Sequence, residues 1–84
     1  MYHIEITDKA KKKFEKLPNN WQRKIGKTIN SLAIDPYRGK KLHGDYEGQY
    51  SIRAWPYRII YMIDNHQIMV NVLDLGHRKD IYRQ

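Results

Sequence analysis

The sequence has no cysteine among its 84 residues, so neither a disulfide nor a thiolate-bound metal can staple it. It has one phenylalanine, and its longest mainly apolar run covers only residues 58–63. A membrane-spanning helix needs about 20 apolar residues, which excludes a transmembrane reading. The amino terminus, Met1-Tyr2-His3-Ile4-Glu5, has no basic segment followed by an apolar one, so no secretory signal is expected. A thiol-free chain suits a reducing compartment, and the expected location is cytoplasmic. Acidic residues are scarce too: nine face 16 Lys and Arg, for a net charge of +7 and a pI near 9.7. Such a balance favours a polyanionic partner, nucleic acid first and an acidic protein second.

The length allows a single domain, residues 1–84, with one thin hydrophobic core. Its charge is uneven. Residues 1–40 hold ten basic and four acidic side chains, whereas residues 41–84 hold six and five. The segment Tyr2 to Ile6 alternates in polarity and predicts a short strand. Thr7 or Asp8 can cap a helix in which Ala10, Phe14 and Leu17 share one face and Lys9, Lys11, Lys12, Lys13 and Lys16 fill the solvated remainder. Pro18-Asn19-Asn20 breaks it, and a second helix follows from about Trp21 with Trp21, Ile25, Ile29 and Leu32 as its apolar stripe. Asp35-Pro36 ends that helix.

Residues 36–48 read as loop. The pattern then changes to period two: a strand from Gln49 to Ala54, a Trp55-Pro56 turn, a strand from Tyr57 to Ile63, a hairpin turn at 64–67, and a third strand from Ile68 to Leu75 that Gly76 terminates. The last two strands are apolar on both faces, as central strands covered by helices are. The expected fold class is α+β in two layers, with the order β-α-α-β-β-β: a helical hairpin packed on an antiparallel sheet.

Candidate chemistry collects at one end of this sheet. In an antiparallel meander Arg53 and Arg58 flank one hairpin, and the third strand returns to the same end, where His77, Arg78 and Tyr82 follow. Guanidiniums form paired hydrogen bonds to phosphate oxygens and stabilise charge that develops on phosphorus. A tyrosine can stack on a base, and a histidine can move a proton. With RNA as substrate, the 2′-hydroxyl serves as the nucleophile, so neither metal nor cofactor is required. Each residue also has a plainer reading. Arg58 could snorkel, Arg53 could be a solvated strand residue, Arg78 could belong to a charged tail, and His77 and Tyr82 could simply pack. The case rests on their convergence.

The segments Lys41-Leu42-x-Gly44, Tyr50-x-Ile52-Arg53, Tyr57-Arg58-Ile59-Ile60-Tyr61 and Val72-Leu73-x-Leu75-Gly76-His77-Arg78-Lys79-Asp80-Ile81-Tyr82 resemble the RelE/ParE toxin superfamily along essentially the whole chain. The resemblance implies a microbial-ribonuclease-like fold and a type II toxin that enters the ribosomal A site. There it cleaves mRNA through the 2′-hydroxyl, leaving a 2′,3′-cyclic phosphate and blocking translation. It assigns Arg53 to nucleophile activation or phosphate binding, Arg58 to the transition state, Arg78 to phosphate binding or leaving-group protonation, and Tyr82 to base stacking. Implied partners are an antitoxin on a separate chain, through which the complex binds operator DNA, and the ribosome with its mRNA; no membrane is involved. One position departs from the pattern. The best-studied RelE proteins carry two basic residues on alternate positions of the first meander strand, and here these positions are Ser51 and Arg53. Since arginine stays protonated, no obvious general base remains, and His77 is the candidate for an acid or base role. Two other functions stay open: a ParE-like DNA gyrase inhibitor, and a catalytically inactive antitoxin- or nucleic-acid-binding module.

Overall fold

A computed structural model of the chain describes residues 1–81. The first strand, β1 (His3–Ile6), leads into helices α1 (Asp8–Glu15) and α2 (Asn19–Ile34). Four further strands follow: β2 (Lys40–Lys41), β3 (Tyr50–Ala54), β4 (Tyr57–Asp64) and β5 (Met69–His77). They form one five-stranded sheet in the order β1-β5-β4-β3-β2. The β3-β4-β5 meander is antiparallel, and β1 joins its far edge parallel to β5, pairing Ile4 with Val70 and Ile6 with Val72. The expected α+β architecture is therefore present, with one strand added.

Helix α1 begins where the Thr7 hydroxyl accepts from the Ala10 N–H at 3.2 Å. The same hydroxyl donates to the Leu73 carbonyl, so one side chain caps the helix and ties it to β5. Lys9 and Lys13, expected on a wholly solvated face, instead reach Asp74 at 3.3 and 2.8 Å. These ends are largely exposed, so each pair contributes only about 0–1 kcal/mol. Helix α2 starts at Asn19, two residues before the apolar stripe suggests, because Pro18 stands at the cap and its carbonyl accepts from the Trp21 and Gln22 N–H groups.

Both helices cover one face of the sheet. Ala10, Ile25, Ile29 and Leu32 pack against Ile52, Ala54, Ile59, Tyr61, Val70, Val72 and Leu75. Each fully buried aliphatic side chain in this cluster stabilises the fold by about 1.5–3 kcal/mol relative to exposure. The opposite face has no helix among the described residues, contrary to the reading of β4 and β5 as covered on both sides. Their apolar residues there have other fates: Ile60 and Ile81 are buried outside the main cluster, while Met62 remains 40% exposed.

Two regions differ most from the sequence reading. The supposed loop 36–48 contains a turn of 3-10 helix at Pro36–Arg38, strand β2, and a second 3-10 turn at Gly44–Tyr46. Two residues cannot show a period, so β2 is defined only by its tertiary pairing of Lys40 with Ser51 and Lys41 with Tyr50. Strand β5 runs through Gly76 to His77 rather than stopping at Leu75. Gly76 serves packing and not termination: a Cβ there would lie 3.3 Å from the Ile81 side chain.

The Tyr61 phenol fixes the entry to β2. Its ring is fully buried, its hydroxyl donates to the Pro36 carbonyl at 2.7 Å, and it accepts the Gly39 N–H at 3.0 Å. Gly39 passes so close that a Cβ would stand 2.8 Å from the Ser51 carbonyl oxygen. Tyr61→Phe leaves both backbone groups without their partner and should lower stability in urea denaturation by about 1–3 kcal/mol. Burial raises the Tyr61 pKa above its ordinary 10.0. A raised folded-state pKa means this contribution is complete below pH 10 and is lost as pH rises through the folded value. The parent should thus lose more stability at alkaline pH than Tyr61→Phe does.

Candidate active site

The register of β5 decides which side chains meet. Ile63 pairs with Val70 and Tyr61 with Val72, but Ile60 then pairs with Asp74, so Leu73 is an extra residue, a β-bulge. Before the bulge, even-numbered residues of β5 face the helices; after it, Leu75 and His77 do. Gly76 therefore lies opposite Arg58 on the helix-free face, and Arg58 in turn lies opposite Arg53. The Arg78 N–H donates to the Pro56 carbonyl at 2.8 Å, folding the chain after β5 over the β3–β4 turn.

Arg53, Arg58 and Arg78 consequently line one cleft of about 160 Å³, together with Trp55, Pro56 and Tyr57. Arg58 is half-buried, and the other two arginines are exposed. None of the acidic side chains among the described residues forms an ion pair with them. Their hydrogen-bond donors are left for an outside anion, and the forked guanidinium geometry suits phosphate.

A second depression of about 270 Å³ shares Arg53 and Arg58 and is bounded on its far side by Arg38, Gly39, Lys40 and Ser51. Ser51 is 4% exposed, and its hydroxyl has no hydrogen-bond partner among the described residues. A groove of about 460 Å³ beside α2 extends the basic track past Arg38 to Lys27. Sequence reasoning missed Lys40 and Arg38, which lay in the supposed loop. It also passed over Trp55 as a turn residue. That indole is 57% exposed at the cleft, and the Lys24 ammonium donates to the Trp55 carbonyl at 2.7 Å, tying the turn to α2. An exposed tryptophan beside arginines offers a stacking surface for a base, and its place between two arginine-bearing strands was the signal available in the sequence.

His77 does not join the arginines. Its ring meets Tyr57 edge-on, with centroids 5.9 Å apart, and Tyr57 meets Trp21 of α2 at 5.6 Å. The His77 Nδ1 accepts the Lys79 N–H at 3.2 Å. The bulge places the imidazole on the helix-bearing face, away from the cleft lining. Tyr82 lies outside the described residues.

The chain matches the family described as the ParE toxin of the type II toxin-antitoxin system, parDE, over residues 4–82. It is 33% identical to Toxin RelG of Mycobacterium tuberculosis over 85 residues, covering 99% of this chain and 98% of that protein. It is 32% identical to Toxin RelE of the same organism, covering 98% and 87%. Its structure resembles a chain of the toxin-antitoxin complex RelBE2 from M. tuberculosis with a TM-score of 0.85 and 30% identity, covering 92% of this chain and 98% of that one. The chain belongs to the RelE/ParE family of type II toxins.

Arg53 and Arg58 are like charges directly opposite one another, an arrangement that costs about 0.2–1 kcal/mol. Arg58→Gln should therefore leave thermal stability unchanged or slightly raised. Inorganic phosphate should raise the Tm of the parent, and Arg58→Gln with Arg78→Gln should abolish that response in a thermal-shift titration. A large loss of stability in the variant would mean that these arginines are structural.

Proposed function

We propose that this toxin is a ribosome-dependent endoribonuclease that cleaves mRNA in the A site and so stops translation. The observation that carries the reading is the single cleft lined by three arginines without carboxylate partners among the described residues. In the proposed reaction the 2′-oxygen attacks the adjacent phosphorus, the O2′–P bond forms and the P–O5′ bond breaks. The products are a 2′,3′-cyclic phosphate and a 5′-hydroxyl, with one proton leaving O2′ and one arriving at O5′. Arg58, the half-buried member, holds the charge that builds on the phosphoryl oxygens. Arg53 and Arg78 bind phosphate from either side, and Tyr82 and Trp55 are the aromatic side chains for stacking. RNA brings its own nucleophile, so the step requires no metal.

Among the described residues the cleft lining holds no imidazole or carboxylate to act as base, so the reaction relies on the ribosome to align the 2′-hydroxyl of its bound substrate for in-line attack. The basic amino-terminal half supplies the electrostatic surface for docking to ribosomal RNA. The RelBE2 relative was solved as a toxin-antitoxin complex. By the same logic, this chain acts in the cytoplasm under the control of a separate antitoxin. An acidic or amphipathic segment of that antitoxin would cover the basic surface, and the complex would bind operator DNA through it.

Primer extension on translated mRNA should show cuts spaced by codons, and Arg58→Ala or Arg78→Ala should slow cleavage by about 10²–10³-fold. Naked RNA should be cut poorly, and ribosome association should weaken steeply with salt. The match to the ParE description favours a second reading, inhibition of DNA gyrase. Loss of supercoiling activity with mRNA left intact would establish that reading instead.

A further inference from the structure

Strand β3 carries a serine at position 51, and the neighbouring strand places a lysine directly beside it. Lys40 is the direct antiparallel partner of Ser51, so the two side chains leave the same face of the sheet, with Cβ atoms roughly 4.5–5.5 Å apart. Ser51 also pairs with Ile60 of β4, on the face that carries Arg53 and Arg58. Lys40, Ser51, Arg53 and Arg58 line one depression, together with Arg38. The Ser51 hydroxyl is buried there without a partner among the described residues. A buried hydroxyl without a hydrogen bond is uncommon, and the four cations lining the depression make it a place for an anion.

We propose that Lys40 is a further catalytic residue, whose ammonium contacts the substrate phosphate beside the 2′-oxygen from the edge strand, on the same face as Arg53 and Arg58. This inference rests on the ribonuclease reading. Lys40 is exposed and forms no ion pair among the described residues, so its side chain is available to a ligand. Its backbone is held firmly, because Gly39, the preceding residue, is pinned by the Tyr61 phenol. The role is electrostatic, and a guanidinium can replace the ammonium.

The test is single-turnover cleavage of mRNA on programmed ribosomes with saturating toxin. Lys40→Met should lower the cleavage rate about ten- to a hundredfold with little change in the concentration giving half-maximal rate, and Lys40→Arg should retain most of it. The exchange Lys40→Ser with Ser51→Lys, which moves the ammonium across the strand pair, should recover much of what Lys40→Ser loses. Lys40→Met cleaving within twofold of the parent would overturn the proposal while leaving the ribonuclease reading intact. So would a variant that raises only the half-saturating concentration, since Lys40 would then serve docking alone. A parent chain that leaves ribosome-bound mRNA uncut would overturn both. Lys40→Met should melt with the parent, since the residue is exposed.

Discussion

One extra residue in β5 determines what the site is made of. If β5 continued in the phase of Val70 and Val72, His77 would share a face with Arg58. The bulge at Leu73 reverses the phase, so His77 lies on the helix side beside Tyr57 and Gly76 lies opposite Arg58. Gly76 has no side chain to fill the space, and the Ile81 side chain packs over it. The bulge is anchored on both sides: the Leu73 carbonyl accepts from Thr7, and Asp74 receives Lys9 and Lys13. The amino-terminal helix thus helps set the composition of a cleft at the far end of the same strand.

A second constraint works from the other edge. The Tyr61 hydroxyl gathers the Pro36 carbonyl and the Gly39 N–H, and the chain leaving Gly39 can then pair with β3 for only two residues. Those two residues are lysines. A short edge strand bearing lysines resists pairing with another sheet. The same geometry delivers Lys40 to the arginine-bearing face, so protection of the edge and construction of the site use the same residue.

The element order, the helical stripe and the meeting of Arg53, Arg58 and Arg78 were legible in the sequence because each follows from periodicity or from the closure of a meander. Those signals are local, or need only the rule that neighbouring antiparallel strands share ends. Three features depended on information that periodicity does not carry. Strand β2 is too short to have a pattern. The bulge changes the phase inside Val70 to Leu75, where the one mark of it is that the polar residues Asn71 and Asp74 stand three apart, not two or four. Lys9 and Lys13 look like solvated charges until Asp74 is brought beneath them by the fold. His77 was misjudged for the second reason and Lys40 was missed for the first.

The arginine cleft is an electrostatic debt that the isolated fold carries. Arg53 and Arg58 oppose each other, Arg78 joins them, and every ion pair between described residues is made elsewhere. A thin core in a small domain leaves little stability to offset such repulsion. Any anion that fills the cleft therefore gains both its own contacts and the relief of the like-charge cost. That gain is available to a substrate phosphate and to an acidic side chain of a partner alike. Proposed catalysis and proposed inhibition consequently draw on one physical property, the uncompensated positive charge at the end of the β3-β4-β5 meander, and a partner need not imitate RNA in shape to compete with it.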